Sequence, residues 1–257
     1  MGQIQLHDVL QSRPRIVVHC WEISGEFGMN DRAARCLGLV GGLGVGATVH
    51  YYQELVKAHA GGGCVPNLVI VHADMQRVLK HATAGETLGL AGYLAQLIER
   101  MACAGAQVAA IPAVTPHICA SELEKLSPIP IVNLIDAIGH EPRARNFRRV
   151  SIFGTRFAIE KRMFGRMPQA EIVLPSPEEI SVIHETYLEM ANAGRGRREQ
   201  YEQLRSLAFQ LIERDRLDGI ILAGTDLSLI FNESNTDFPH VDGARVHLDA
   251  IMRELLG

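Results

Sequence analysis

Along most of this chain, short apolar or β-branched runs alternate with longer stretches whose apolar residues recur every three or four positions. That alternation predicts a parallel sheet with helices on both faces. Residues 36–40 read as a strand that runs into the turn GGLGVGAT (41–48), followed by a helix over 48–60. Residues 68–72 form a second expected strand, then a loop and a long helix over 88–104. In that helix Leu90, Leu94, Leu97, Ile98 and Met101 mark one buried face. A third strand over 108–111 ends at Pro112 and the loop 113–117. A helix over 118–126, a strand over 131–133 and a helix near 135–141 complete the series.

The pattern then restarts. Residues 149–153 form a strand ending in Gly154 and Thr155, ahead of a helix over 158–167. A strand over 171–174, a break at 175–177 and a helix over 178–193 follow. The charged segment AGRGRREQ (193–200) opens a long helix to Asp215. Residues 219–222 are a strand ending at 223–225, and the last helix covers 243–255. The fold class is therefore α/β, with two pseudo-symmetric lobes, each a mainly parallel sheet flanked by helices. The expected division is 36–136 plus 233–257 for one lobe and 137–232 for the other. In such sheets ligands bind beyond the carboxyl ends of the strands, so one cleft between the lobes is expected. Residues 1–35 stand outside the scheme as an N-terminal extension. Within it PRIVVHCW (14–21) would add an edge strand or an arm reaching a partner subunit.

Composition narrows the classes without naming the chemistry. Of 257 residues, 47% are hydrophobic and 21% charged, ordinary values for a globular protein. A net charge of −4 offers no nucleic-acid footprint. The N-terminus lacks the apolar core of a signal peptide, and no apolar run is long enough to span a bilayer, so no membrane association is expected. The five cysteines are odd in number, scattered and without zinc-type spacing, which suits a reduced, cytoplasmic protein. The spread of His50, His59, His72 and His81 gives no metal pattern, and no metal is expected.

Three strand-end loops share small residues followed by a hydroxyl: 113–117 (AVTPH), 154–156 (GTR) and 223–226 (AGTD). If each opens a helix, backbone N–H groups and Thr115, Thr155 and Thr225 converge on a cradle for a carboxylate or phosphate. A lone loop of this kind reads first as a capped helix; several in corresponding places point to an anion site. Gly42, Gly44 and Thr48 of the glycine-rich turn belong with them. That turn has neither a P-loop ending nor the GxGxxG register, which speaks against a nucleotide.

These segments resemble the aspartate/glutamate racemase superfamily, and aspartate racemases most. GLVGGLGVGATVHYYQEL (38–55) is similar to that family's opening loop and helix, and PAVTPHI (112–118) stands where it has Cys-Asn-Thr-Ala-His. IFGTRFAIEKRMF (152–164) resembles its Gly-Thr strand end, EEISVIHETYLEMANAG (178–194) its Ile-His helix, and DGIILAGTDL (218–227) its Gly-Cys-Thr-Glu segment. FPHVDGARVHLDAI (238–251) is similar to its closing Asp and helix. The resemblance runs from about residue 36 to the end. It implies a two-lobed fold, commonly a homodimer, that moves a proton at an amino acid's α-carbon with two cysteines and no cofactor.

Here the departures matter. The positions of the two cysteines are Ala113 and Gly224, and neither accepts a proton. Two-thiol racemisation through them is excluded. Asp226 replaces the family's glutamate and is the leading candidate for a single base; its alternative is a helix-start carboxylate. His117 and His184 are further candidates, each also readable as a structural hydrogen-bonding histidine. Cys119 reads more readily as a core residue. Arg156, and less readily Arg195 and Arg197, would pair a second substrate carboxylate. The expected function is cofactor-independent Cα proton transfer on a small amino acid or dicarboxylate by a racemase-family enzyme with a non-cysteine base, in the manner of a racemase, isomerase, lyase or decarboxylase. The superfamily includes arylmalonate decarboxylases, which use one cysteine. The alternative is a catalytically silent carboxylate-binding or regulatory protein. Delivery of Cys20 or Glu22 into the cleft by the N-terminal extension is a third reading.

Overall fold

The computed structural model describes residues 35–160 and 170–256. The N-terminal arm with Cys20 and Glu22, and the second half of the helix expected over 158–167, lie outside the described residues. Two four-stranded parallel sheets form the frame. The first has the order β2-β1-β3-β4, with β1 at Leu37–Gly41, β2 at Leu68–His72, β3 at Val108–Ala110 and β4 at Ile131–Val132. The second repeats it as β6-β5-β7-β8, with β5 at Arg149–Phe153, β6 at Glu171–Ile172, β7 at Gly219–Leu222 and β8 at His240–Asp242. Register is continuous from Leu37↔Leu68 to Gly41↔His72 in one sheet and from Val150↔Gly219 to Phe153↔Leu222 in the other.

The connecting helices repeat too. In the first half they are α1 (Val45–Gly61), α2 (Met75–Ala84), α3 (Thr87–Cys103), α4 (Ala120–Leu126), α5 (Leu134–Gly139) and α6 (Glu141–Ala144). In the second they are α7 (Arg156–Glu160), α8 (Pro177–Ala193), α9 (Arg198–Asp215) and α10 (Gly243–Leu256). A short 3-10 helix follows β3 at Thr115–Cys119, and another follows β7 at Thr225–Leu229. Every residue of β1 is buried, as expected for a strand covered on both faces. One face of the first sheet packs on α3 through Leu90, Leu94, Ile98 and Met101. The other meets α1 and α10 through Tyr51, Leu55, Leu248, Ile251 and Leu255.

The helix directly after the fourth strand of each half, α5 or α10, crosses to the other half. Leu134 and Ile138 of α5 join the core of the second sheet, whereas α10 closes the first. The sequence grouped residues 233–257 with the first lobe. Within that stretch β8 pairs with β7 in the second sheet, and only α10 packs on the first. Two elements also go beyond the sequence reading. The loop expected before the 88–104 helix contains α2, started by Asp74, whose carboxylate accepts the Gln76 and Arg77 N–H groups, and stopped by Gly85 at φ 70°. Only Val78 and Ala82 of α2 are buried, too few to show as a periodic stripe. β8 is three residues long and follows Pro239 directly. No described helix is long and apolar enough to cross a membrane.

Two buried imidazoles pin the junctions. His247 of α10 donates from Nε2 to the Val132 carbonyl at 2.9 Å and accepts at Nδ1 from the Tyr51 hydroxyl at 3.0 Å. His117 donates from Nδ1 to the Ala113 carbonyl at 2.8 Å and accepts the Leu134 N–H at 3.2 Å. Burial pushes His247 down to about 3 and His117 to about 4. Both stay neutral in the fold, while the unfolded chain takes up protons below the ordinary value of 6.5. Stability is therefore fully present above that value and is lost as pH falls towards 4. Urea unfolding at about pH 7, 6 and 5 is expected to give successively lower midpoints, with a shallower dependence in His247→Gln. Midpoints that do not move with pH would remove this account.

Candidate active site

A cleft of about 460 Å³ lies at the carboxyl ends of the strands. Gly42 and Gly44 enter it after β1, Ala113 and Thr115 after β3, Thr155 after β5 and Gly224 after β7. This is where parallel sheets present their ligand sites. Met75, Val78 and Leu79 of α2 and Leu188 and Ala191 of α8 supply apolar walls, while Gln76 and Asn192 add exposed polar groups. Ala113 and Gly224, which the resemblance pairs with two cysteines, line the same cleft from different sheets. Neither brings any acid or base.

Some backbone amides of the loops that line this space have no partner among the described residues. Among the described residues, the amides of Gly44, Thr115 and Thr155 make no hydrogen bond to any backbone or side-chain acceptor. All three residues line the cleft, and Gly44 immediately precedes the seventeen-residue α1. Amides at the start of a helix favour negative charge, so this arrangement can accept a carboxylate. Thr155 also caps α7, its hydroxyl oxygen accepting the Ala158 N–H at 3.2 Å.

Several residues expected in the site have other partners. Thr48 braces the glycine turn: its hydroxyl oxygen accepts the Gly42 N–H at 3.1 Å and donates to the Gly44 carbonyl at 2.8 Å. The Thr225 hydroxyl donates to the Pro112 carbonyl at 2.9 Å, tying the end of β7 to the end of β3. Arg156 reaches Glu160 at 3.1 Å and the Ser181 hydroxyl at 2.8 Å. Nδ1 of His184 accepts the Arg156 N–H at 3.2 Å, and burial followed by the Arg156 charge holds that imidazole below its usual range. His117 has both ring nitrogens engaged with backbone, as above. None of these five residues lines the cleft. Cys119 is buried, donates to the Pro116 carbonyl at 3.2 Å and is pushed up to about 12 by burial, far from a ready thiolate. Arg197 pairs with Glu189 at 2.6 Å, and Arg195 is exposed.

Asp226 sits behind the cleft wall. It is fully buried, and its Oδ1 accepts the Ala47 N–H in the first turn of α1 at 2.8 Å. The sequence offered Asp226 as a base; the structure places it out of contact with the cleft, under the glycine turn. A Cβ at Gly44 would lie 2.3 Å from its Oδ2, and one at Gly46 would lie 2.9 Å from its Oδ1. Both positions must be glycine for the carboxylate to reach the helix end. Its Oδ2 accepts from the Tyr187 hydroxyl at 3.1 Å, and that tyrosine does line the cleft. Burial raises the Asp226 carboxyl above its usual range, with the Ala47 and Tyr187 hydrogen bonds opposing. Burial, then the Asp226 charge, raises the Tyr187 hydroxyl well above 10.

Tyr187 escaped the sequence reading because it continues the buried stripe Ile180, Ile183 and Met190 of α8. The signal was a hydroxyl inside an otherwise apolar stripe, where a partner has to exist. Its ring also explains Gly224. A Cβ there would stand 2.4 Å from Tyr187 Cε2 and 2.8 Å from Cδ2. The tyrosine ring fills the space a side chain at 224 would need.

Among the described residues, no group of three or more His, Cys, Asp or Glu is arranged to hold a metal ion. Two parallel sheets of one order, with a cleft at their strand ends, define a duplicated α/β fold. The chain belongs to the Asp/Glu/hydantoin racemase family, whose sequence model matches residues 40–251. Among solved structures it is similar to an aspartate racemase homologue from Pyrococcus horikoshii OT3, with a TM-score of 0.72 at 22% identity over 87% of this chain and 100% of that one. An aspartate racemase from Picrophilus torridus gives 0.68 at 16% identity, over 86% and 94% of the two chains. A glutamate racemase from Francisella tularensis subsp. tularensis SCHU S4, in complex with D-glutamate, gives 0.61 at 14%, over 87% and 81%. At these identities the likeness to each structure is one of fold.

The contact between Tyr187 and Gly224 is directly testable. Gly224→Cys is expected to destabilise the protein by about 1–3 kcal/mol through overpacking. In the Gly224→Cys/Tyr187→Ala double variant the two costs should fall short of additive by on the order of 1 kcal/mol or more in urea unfolding. Additive costs would show that the ring does not exclude the side chain.

Proposed function

We propose that this protein is a racemase-family enzyme that binds a small carboxylate in the cleft and transfers a proton at the adjacent carbon, without a thiol. The observation that carries this reading is the set of amides of Gly44, Thr115 and Thr155 at one cleft whose two cysteine positions are Ala113 and Gly224. A substrate carboxylate accepting those N–H groups gathers negative charge as the α-carbon becomes a carbanion. Donors fixed in place beforehand stabilise that charge without having to reorient. The apolar side of the cleft, with Met75, Val78 and Leu79, receives the rest of the substrate and keeps water from the carbanion.

The reaction in this reading is one-sided. A racemase of the two-thiol kind needs an acid or base on each face of the α-carbon, and Ala113 offers none. A stereospecific isomerase, lyase or decarboxylase needs only one. A silent carboxylate-binding protein would keep the amides and show no turnover, which the same assay separates.

The test begins with binding. Millimolar malonate, succinate or aspartate is expected to raise the melting temperature saturably, as binding to the folded state alone requires. Ala113→Asp places a negative charge in the cleft and is expected to weaken that effect by about tenfold or more, about 1.4 kcal/mol. An Ala113→Asp protein that folds and binds malonate as tightly as the parent would sink the cleft as a carboxylate site.

A further inference from the structure

The cleft has amides to hold a carboxylate, but Asp226, His117 and His184 do not line it. Among the described residues that do line it, Tyr187 is the one titratable side chain. Its ring stands over Gly224, where the resemblance places an acid/base, and fills the volume a side chain there would occupy. Its hydroxyl is 3.1 Å from a buried carboxylate. No described lysine, arginine or histidine pairs with Asp226; its recorded partners are the Ala47 amide and the Tyr187 hydroxyl. A core tyrosine needs one acceptor, which a backbone carbonyl would supply. A carboxylate buried without a cation is a costly way to meet that need.

We propose that Tyr187 is the catalytic proton donor on the Gly224 face, with Asp226 behind it as the carrier that reloads it. This rests on the carboxylate reading of the cleft. When Asp226 is protonated, its O–H donates to the Tyr187 oxygen, and the tyrosine hydrogen is free to turn into the cleft. The carbanion's electron pair then takes that hydrogen: the O–H bond of Tyr187 breaks and a Cα–H bond forms. The phenolate oxygen takes the Asp226 proton as the carboxyl O–H breaks, and Asp226 recovers a proton from solvent. Burial disfavours the charged form of both groups, which leaves the Tyr187 hydroxyl in the protonated state a donor needs; the carbanion, a far stronger base than a phenolate, supplies the driving force for the transfer.

With no base on the Ala113 face, the carbanion arises by loss of another substituent from the α-carbon. For a carboxylate substrate the simplest such loss is a second carboxyl group. The C–C bond breaks, CO₂ departs, and the electron pair is shared with the carboxylate that the amides hold. Tyr187 then delivers the proton from one side, which gives one configuration of product.

The experiment uses the full chain in D₂O with phenylmalonate, L-aspartate and D-aspartate, followed by proton NMR, beside malonate-induced thermal stabilisation. Tyr187→Phe keeps the ring over Gly224 and removes only the hydroxyl. It is expected to lose at least a hundredfold in turnover while malonate binding changes by less than about threefold. Asp226→Asn, whose amide oxygen can still accept the Ala47 N–H while its NH2 donates to the Tyr187 oxygen, should also lose turnover and retain binding. Deuterium should enter the α-carbon in one configuration. Turnover in Tyr187→Phe within about threefold of the parent overturns the assignment, as does product of mixed configuration. A parent protein that binds malonate and turns over none of the three compounds also overturns it, and leaves the carboxylate site standing. Absence of malonate binding in the parent overturns the cleft reading itself.

Discussion

The hydrogen bond from the Ala47 amide to the buried Asp226 carboxylate governs much of what is built around it. It joins the first turn of α1, which follows β1 of the first sheet, to the 3-10 helix that follows β7 of the second. A buried carboxylate lowers its cost only by collecting donors, and a helix N-terminus is the densest local source of them. The approach is so close that residues 44 and 46 have no room for a side chain. A glycine-rich turn that looks made for a ligand is thus required first by a protein–protein contact inside the fold. Gly44 lines the cleft as well, so the same geometry sets the backbone on its edge.

The same carboxylate orients the next layer. It holds the hydroxyl of Tyr187, and the ring so placed removes the space above Gly224. At Gly224, where the resemblance places a cysteine, an aromatic ring from another helix occupies the space a side chain would need and brings a hydroxyl with it. Replacement on one face and plain alanine on the other break the pseudo-symmetry at the level of side chains, while the two sheets keep it in strand order.

Most of the frame was legible in the residues. The apolar-rich runs at 149–153 and 219–222 coincide with β5 and β7, where a strand buried on both faces has little choice of composition, and the run at 68–72 coincides with the partly exposed edge strand β2. Elements with few buried residues, α2 and β8, did not announce themselves. The site was legible to a lesser degree for a reason of distance. Gly42, Gly44, Thr115 and Thr155 line the cleft, as their strand-end positions suggest. Thr48, Thr225, Arg156, His117 and His184 have the right chemistry, but their partners come from the internal hydrogen-bond network, which no local pattern encodes. Thr225 bonds a carbonyl 113 positions away, and Asp226 an amide 179 away. Tyr187 was hidden for the opposite reason, since its apolar neighbours on α8 describe it fully as a core residue.

The exchange of α5 and α10 between the halves bears on how such a chain came to exist. A single half, cut after its fourth strand and the helix that follows, would expose the part of its sheet face that the other half's corresponding helix covers. Two identical copies trading those helices would cover both faces at once, with His247 and its Val132 and Tyr51 partners marking where the traded helix docks. The present chain has the form of such a domain-swapped pair joined end to end. Joining the copies frees each half to drift separately, and a cleft with alanine on one side and a tyrosine ring over glycine on the other is a state that two identical subunits could never reach.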